Sequence, residues 1–312
     1  MMISIAIHGG AGTMRAADLT AAMTEARHEG LRAALRAGWS VLRGGGAALD
    51  AVSAAVCALE DDPLFNAGHG AVLTDAGTIE MDAGIMNGAD RRAGAVAGIC
   101  GPRNPVLAAR AVMETTPHLL MIGAGAHGVA RDAGLVFMPD AYFETPNRRA
   151  ALEREMARRA AGAPDTRSDA DRHGTVGAVA RDAGGHLAAA TSTGGMTGKR
   201  SGRVGDTPVI GAGTYADDVC AVSCTGTGEV FIRYTAAAEI AARIRYKGEA
   251  IAQAAGDVIG ELEGYGGDGG LIALGRAGEP ALPFNSSGMY RGYVDAEGRL
   301  CTAIHREAFR YG

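Results

Sequence analysis

The sequence is poor in aromatic residues and has no long apolar segment. Of its 312 residues only 5% are aromatic, and there is a single tryptophan. No stretch approaches the roughly 18 apolar residues that a membrane-spanning helix requires, so we predict no membrane partner. Basic residues are not in surplus either, because 35 acidic and 30 basic residues give a net charge of −5. A nucleic-acid partner is therefore not expected, since phosphate binding depends on clustered positive charge.

Cysteine is also scarce, and its pattern does not indicate a disulfide framework. The five cysteines are odd in number and scattered along the chain. Residues 2–7 alternate like a β-strand and show no basic region of the kind that opens a signal peptide. Both features predict reduced thiols in a cytoplasmic protein. A metal-dependent hydrolase is a weak alternative, because neither an H-E-x-x-H motif nor paired C-x-x-C motifs occur.

Glycine is abundant, with 48 residues, about twice the usual share. Glycine-rich turns separate strand-like segments in both halves of the chain, and helical periodicity occurs in both halves as well. This mixture predicts an α+β fold without a strictly alternating parallel sheet, and the length fits one large domain or two small ones. Predicted strands cover 3–7, 71–73, 79–86, 175–180, 186–193, 221–233 and hairpins within 270–304; predicted helices include Leu31–Leu42, Leu49–Leu59, 106–113 and 236–263.

The segment from about 145 to 174 has a different composition, with many Arg, Asp and Glu residues separated by small ones. Its first half is compatible with a solvated helix. Residues 161–173 offer little to bury and are interpreted as a mobile linker. A strand-like segment begins abruptly after this linker.

Thr175 is the first residue of that strand and follows Gly174 directly. An interior threonine hydroxyl is a poor nucleophile, whereas a threonine at a chain N-terminus carries its own base in the α-amino group. Cleavage of the Gly174–Thr175 bond would therefore create a nucleophile. Taken alone, Thr175 is as easily interpreted as an ordinary residue that opens a strand.

Three further clusters contain groups suited to such chemistry. Residues 191–197 end the strand predicted to pair with that of Thr175, so their hydroxyls could lie beside it. Arg203 and Asp206 lie three apart in a glycine-rich loop and would suit the carboxylate and ammonium of a zwitterion, or would simply pair with each other. Residues 223–229 combine hydroxyls with glycines and would suit an oxyanion hole, or a tight turn.

Eight segments in the same order resemble the plant-type asparaginase / isoaspartyl peptidase family of N-terminal-nucleophile hydrolases. They are HGGAG at 8–12, NAG at 66–68, GTVGAV at 174–179, AATSTGGM at 189–196, GRVGD at 202–206, SCTGTG at 223–228, LPFN at 282–285 and GMYRG at 288–292. The resemblance extends along nearly the whole chain. It implies a four-layer αββα sandwich that forms one domain, 1–312, cleaves itself into chains 1–174 and 175–312, and assembles as a dimer of such heterodimers.

The resemblance also implies roles for individual residues. Thr175 is nucleophile and, through its amine, general base; Thr193 supports it; Arg203 and Asp206 bind the substrate. Thr225 and Gly226 stabilise the oxyanion, Gly228 belongs to the same loop, and Asn66 lies beside the site. No organic cofactor is implied. A structural sodium ion would be held by backbone carbonyls at Leu59, Glu60, Asp62, Phe65, Ala67 and His69. No role follows for the His69 side chain or for Thr214, neither of which is expected at its position.

The implied reaction is hydrolysis of L-asparagine or of isoaspartyl dipeptides through a β-aspartyl-threonine ester. Gly174 stands where glycosylasparaginases have an aspartate, which favours the asparaginase branch over that alternative.

Two other interpretations remain open. Residues 123–128 match G-x-G-x-x-G, but they lack a convincing βαβ unit and a suitably spaced acidic residue for dinucleotide binding. The chain could also be an unprocessed, non-catalytic binding protein.

Overall fold

The computed structural model describes residues 2–12, 19–163 and 174–312, which form helices and two β-sheets. The helices are α1 (Ala21–Arg43), α2 (Ala48–Asp61), α3 (Pro105–Thr115), α4 (Gly123–Asp132), α5 (Asp140–Phe143), α6 (Pro146–Ala160), α7 (Gly228–Tyr234), α8 (Ala236–Ala242) and α9 (Ile251–Glu263). The strands are β1 (Ser4–Gly12), β2 (Met81–Asn87), β3 (Ala93–Ile99), β4 (Leu120–Ile122), β5 (Val176–Arg181), β6 (Leu187–Thr193), β7 (Thr214–Ala216), β8 (Cys220–Gly226), β9 (Gly269–Gly275), β10 (Pro280–Ala281), β11 (Gly288–Val294), β12 (Leu300–Ala303) and β13 (Arg310–Tyr311). The mixture confirms the predicted α+β class.

The larger sheet has the strand order β13-β12-β11-β1-β5-β6-β2-β3-β4, and the smaller has the order β10-β9-β8-β7. Neighbouring strands are antiparallel except β3 and β4. In the larger sheet β1 lies between β5 and β11, and β6 lies beside β2. Strands from before Gly174 and strands from after it are therefore interleaved within one sheet.

Side-chain alternation along β1 divides the core into two clusters. Ile5 and Ile7 belong to a cluster that includes residues of α1, α2 and α3, whereas Ala6 belongs to a cluster formed with the smaller sheet and with α8 and α9. The two faces of a strand carry alternate residues, so this strand contributes to both clusters. β1 and β5 also contact strands of the smaller sheet. Small side chains such as Ala6 allow the two sheets to approach closely.

The hairpin predicted around residue 183 is confirmed as β5 and β6, with Val176 opposite Ser192. Two segments differ from the predictions. Residues 221–233 are not one strand, because β8 ends at Gly226, where φ is +149°, and α7 follows. Residues 236–263 are not one helix, because a π-helical turn at Arg243–Lys247 ends at Gly248, whose φ is +70°. Both breaks occur at glycines whose backbone conformation L-residues rarely adopt.

Residues 71–73 were also predicted as a strand but are buried without belonging to one. The helical half of the charged segment is confirmed as α6, while residues 164–173 of the predicted linker lie outside the described residues. The segment 123–128 opens α4 directly after β4, which pairs parallel to β3. The sequence did not predict this β3–α3–β4 connection. In the ranges that the structure covers, no helix is long and apolar enough to cross a membrane.

Candidate active site

Thr175 immediately precedes β5, and its side chain meets the end of β6. Because Val176 pairs with Ser192, continuation of the antiparallel register brings Thr175 opposite Thr193. The Thr175 hydroxyl donates a hydrogen bond to the Thr193 hydroxyl over 3.2 Å, and Thr175 is only 6% exposed. The prediction that hydroxyls of this hairpin lie together is confirmed.

The carbonyl oxygen of Gly174 accepts two hydrogen bonds. One comes from Asn66 Nδ2 over 2.8 Å and the other from the Thr193 hydroxyl over 2.7 Å. Asn66 Nδ2 also donates to the carbonyl of Gly195 over 2.7 Å, and its Oδ1 accepts from the Val72 amide over 2.9 Å. The Asn66 amide is therefore held in one orientation. Two donors on one carbonyl polarise it and would stabilise negative charge developing on its oxygen.

Gly174 is glycine for a steric reason. A Cβ atom at this position would lie 2.7 Å from Cβ of Asn66, which is closer than real Cβ contacts. The close approach allows the Asn66 amide to reach the Gly174 carbonyl. A larger residue before Thr175 would displace the polarising donor.

A narrow cavity, which we call the nucleophile cavity, joins Thr175 to other predicted site residues. It has a volume of about 10 Å³, which is about the least that holds one water molecule. The uncut chain therefore leaves no room here for an amino acid. The predicted site residues in its lining are Gly174, Thr175, Thr193, Arg203, Asp206 and Gly226.

Arg203 does not pair with Asp206, contrary to the simpler interpretation of their spacing. Its Nε and Nη2 atoms instead donate to the two carboxylate oxygens of Glu229, each over 2.9 Å. This bidentate pair fixes the plane of the guanidinium, so that its remaining edge can face a ligand. Glu229 was singled out only as the end of a glycine-rich turn, and its role in holding Arg203 was not foreseen.

Asp206 is buried, and its Oδ2 has no hydrogen-bond partner in the described part of the chain. Burial raises the pKa of this carboxyl group to about 7, although the charge of Arg203 acts in the opposite direction. A buried carboxylate without a partner is costly, so a cationic ligand at Oδ2 would be favoured.

The third predicted cluster, residues 223–229, borders the same cavity, because Gly226 lines it together with Arg203 and Asp206. The Thr225 hydroxyl accepts a hydrogen bond from the Ala11 amide over 3.0 Å, which leaves its own proton available. Thr225 does not line the nucleophile cavity, whereas Gly226 does. Gly228 lies against both Arg203 and Asp206, since a Cβ there would lie 3.0 Å from Arg203 Nη2 and from Asp206 Oδ1.

His8 is a functional candidate that the sequence analysis missed. It is fully buried, and its Nδ1 donates to the Thr175 carbonyl over 2.9 Å. Burial lowers the pKa of His8 to about 3, so the ring is neutral and Nε2 accepts from the Ser223 hydroxyl over 2.9 Å. The hydroxyls of Thr191 and Thr214 extend this network by contacts of 2.7 Å each. The network joins β1 and β6 to β7 and β8 beneath the nucleophile.

We expect His8→Leu to lower the free energy of unfolding by about 2–4 kcal/mol. The substitution removes the hydrogen bonds that the buried ring makes to the Thr175 carbonyl and to the Ser223 hydroxyl. Urea unfolding should be measured in chains that also carry Thr175→Ala, so that every sample is a single uncut chain. His118→Leu, at an exposed position, is the control. Equal stability of the two histidine variants would show that the network contributes nothing.

In the loop predicted to hold sodium, two backbone carbonyl oxygens lie close to glycines. A Cβ at Gly68 would lie 2.3 Å from the Glu60 carbonyl oxygen, and one at Gly70 would lie 2.1 Å from that of Phe65. The carbonyls of Asp62 and Ala67 accept amide hydrogen bonds within the loop. The His69 ring stacks on Tyr142, with centroids 4.5 Å apart. No cluster of three or more His, Cys, Asp or Glu side chains suited to a metal occurs among the described residues.

The chain is similar to known proteins over nearly its whole length. The family model described as asparaginase matches residues 1–304. The chain is 50% identical over 310 residues to the isoaspartyl peptidase of Salmonella typhimurium, covering 97% of this chain and 98% of that protein. It is 49% identical over 311 residues to the isoaspartyl peptidase of Escherichia coli, covering 97% and 96%. Identity to the human isoaspartyl peptidase/L-asparaginase is 41% over 287 residues, with 91% of each chain covered. The chain therefore belongs to the asparaginase family.

Proposed function

We propose that this protein is a self-cleaving amidohydrolase that converts L-asparagine to L-aspartate and ammonia and also cleaves isoaspartyl dipeptides. The observation that carries the proposal is the Gly174–Thr175 peptide bond, whose polarised carbonyl adjoins the Thr175 hydroxyl. Arg203 and Asp206 line the same cavity. The names of the similar enzymes support both substrate types.

Self-cleavage begins when Thr175 Oγ1 attacks the Gly174 carbonyl carbon. The C–O bond forms, the C–N bond breaks and the hydroxyl proton passes to the departing nitrogen, so that Thr175 acquires a free amine. Thr193 accepts a hydrogen bond from the attacking hydroxyl and donates one to the carbonyl oxygen, while Asn66 donates a second. Water then hydrolyses the Gly174 ester and leaves chains 1–174 and 175–312.

In the cleaved enzyme the Thr175 amine accepts the proton of its own hydroxyl, and Oγ1 attacks the side-chain carbonyl of the substrate. The resulting ammonium donates that proton to the departing nitrogen, which leaves as ammonia or as the amine of an amino acid. Water hydrolyses the β-aspartyl ester in the second step, with the same amine as base. We assign stabilisation of the oxyanion to the Thr225 hydroxyl and to Gly226 of the same turn.

Arg203 binds the α-carboxylate of the substrate and Asp206 its α-ammonium group. Gly228 leaves space for both side chains, because a Cβ at this position would crowd Arg203 and Asp206. Glu229 positions Arg203 without contacting the substrate. Because burial raises the pKa of Asp206, its charge and therefore ligand binding depend on pH near neutrality.

We expect the dissociation constant of L-aspartate to rise about tenfold for each pH unit below 7, since Asp206 becomes protonated and loses its attraction for the ammonium group. Product binding does not require the Thr175 amine as a base, so calorimetric titration between pH 5 and 8 isolates this carboxyl group. Asp206→Asn should bind weakly at every pH. An affinity of the unmodified enzyme that stays constant over this range would contradict the assignment.

We also propose that the chain forms one αββα domain, in which helices cover the outer faces of two stacked sheets. The contacts of α1–α3 with the larger sheet, and of α8 and α9 with the smaller, support this layering. The cleaved chains would stay together, because strands of both share the larger sheet. Pairing of two heterodimers remains part of the proposal. So does a cytoplasmic location, which the five free cysteines favour.

A structural sodium ion in the loop 59–69 is a further part of the proposal. Backbone carbonyl oxygens suit a hard cation, and the proposed ligands are those of Leu59, Glu60, Asp62, Phe65, Ala67 and His69. Such an ion would fix the loop that carries Asn66. It would supply no chemistry to the reaction.

Intact mass under denaturing conditions tests the proposal directly. After incubation at neutral pH we expect two species that divide between Gly174 and Thr175, together with release of ammonia from L-asparagine. A single uncut chain without ammonia release would favour the non-catalytic binding protein. Cleavage together with a preference for glycosylated asparagine would favour the glycosylasparaginase-like alternative.

A further inference from the structure

A second, larger cavity lies on the other side of the bond predicted to be cut. We call it the leaving-group cavity. Its volume is about 300 Å³, at the lower end of the range for small-molecule sites. Gly9, Gly10 and Asn66 form the wall nearest the nucleophile, and Arg27 of α1 and Arg148 and Arg154 of α6 line it further out.

Gly174 lines both cavities and so separates them in the uncut chain. Gly10 packs directly on this peptide, because a Cβ at Gly10 would lie 3.2 Å from Gly174 Cα and 3.3 Å from Thr175 N. The nitrogen that becomes the catalytic amine therefore lies next to Gly10, which lines the leaving-group cavity. Cleavage frees the Gly174 end to move and would join the two spaces.

The lining of the leaving-group cavity carries positive charge only. Arg27, Arg148 and Arg154 line it, and no aspartate or glutamate does so among the described residues. Arg27 Nη1 donates to the carbonyl of Met23, while its buried Nε has no hydrogen-bond partner in the described ranges. Arg148 Nε donates to the carbonyl of Gly70. Guanidinium groups at a cavity wall favour a carboxylate ligand, in a protein whose net charge is −5.

We propose that the leaving-group cavity binds the α-carboxylate of the amino acid that an isoaspartyl dipeptide releases. This inference rests on the proposed function and extends it to the second residue of the substrate. The Thr175 ammonium must donate its proton to the departing nitrogen, so that nitrogen lies next to Thr175 N and Gly10. The rest of the leaving amino acid then projects into the leaving-group cavity, towards the arginines. L-Asparagine releases ammonia, which has no carboxylate for these arginines to bind.

The proposal predicts a substrate-selective defect. In cleaved enzyme carrying Arg27→Gln and Arg154→Gln, the ratio of kcat/KM for β-aspartyl-leucine to that for L-asparagine should fall about tenfold or more. The matched control is Arg36→Gln with Arg149→Gln, which removes the same charge from the same two helices outside the cavity. An unchanged ratio in the cavity variant, or an equal fall in the control, would overturn the proposal.

A second test needs no substitution and so does not depend on folding of a variant. The unmodified enzyme should hydrolyse β-aspartyl-leucine amide about tenfold less efficiently than the free acid, because the amide lacks the carboxylate. Equal efficiencies would contradict the proposed site. If the unmodified enzyme hydrolysed neither L-asparagine nor the dipeptide, the proposed function itself would fail, and the two failures are thereby distinguished.

Discussion

Thr175→Ala is expected to stop both self-cleavage and hydrolysis, lowering ammonia release from L-asparagine by at least about 10⁴-fold. The hydroxyl that attacks the Gly174 carbonyl is also the one that forms the acyl-enzyme, so alanine removes the nucleophile of both reactions. Intact mass should show one chain of 312 residues. Coupled detection of ammonia measures the remaining turnover.

Thr175→Ser is the matched variant, because it keeps the hydroxyl and loses only a methyl group. We expect measurable cleavage at the same bond and measurable turnover, both slower than in the unmodified enzyme. If Thr175→Ala still yielded two chains, another group would perform the cleavage. A fully inert serine variant would count against attack by the hydroxyl.

Arg203→Ala is expected to lower kcat/KM for L-asparagine by about 100-fold or more, mainly through KM. The substrate carboxylate would lose its charged partner, and Glu229 would lose the group with which it pairs. Self-cleavage should proceed, because Asn66 and Thr193 are the side chains that contact the Gly174 carbonyl. Steady-state kinetics on the cleaved product separates the two effects.

Arg200→Ala removes a neighbouring exposed charge and should leave KM unchanged. Arg203→Lys keeps the charge but loses the bidentate geometry. Its KM should therefore lie between those of Arg200→Ala and Arg203→Ala. Normal kinetics for Arg203→Ala would mean that the carboxylate binds elsewhere. Failure of this variant to cleave itself would place Arg203 in the folding or processing of the chain.

The sequence predicted the centre of the site because local features determine it. The turn between β5 and β6 sets a register that brings Thr175 opposite Thr193, and alternation along short strands is readable from residue types. The α+β class followed from the same patterns. The resemblance to a known family then supplied Asn66, which is distant in sequence, and decided the role of Arg203.

Features that depend on tertiary contacts were not predicted. His8 lies in a strand, and only the approach of β8 from the second sheet provides Ser223 as its partner. Glu229 reaches Arg203 because α7 begins where a longer strand was expected. The break after Lys247 depends on a left-handed glycine that sequence periodicity does not distinguish from an ordinary helical glycine. Residues that act through distant partners leave little local signal.

The interleaving of strands from the two product chains in the larger sheet affects the enzyme after it is cut. β1 would belong to one product chain while both of its neighbours, β5 and β11, belong to the other. The uncut chain folds in a unimolecular process, whereas two separated fragments must first find each other. The rate of refolding after denaturation should then depend on protein concentration for the cut form, but not for the uncut chain. The lifetime of the cleaved enzyme would therefore depend on its rate of unfolding, since two chains that separate in dilute solution recombine slowly.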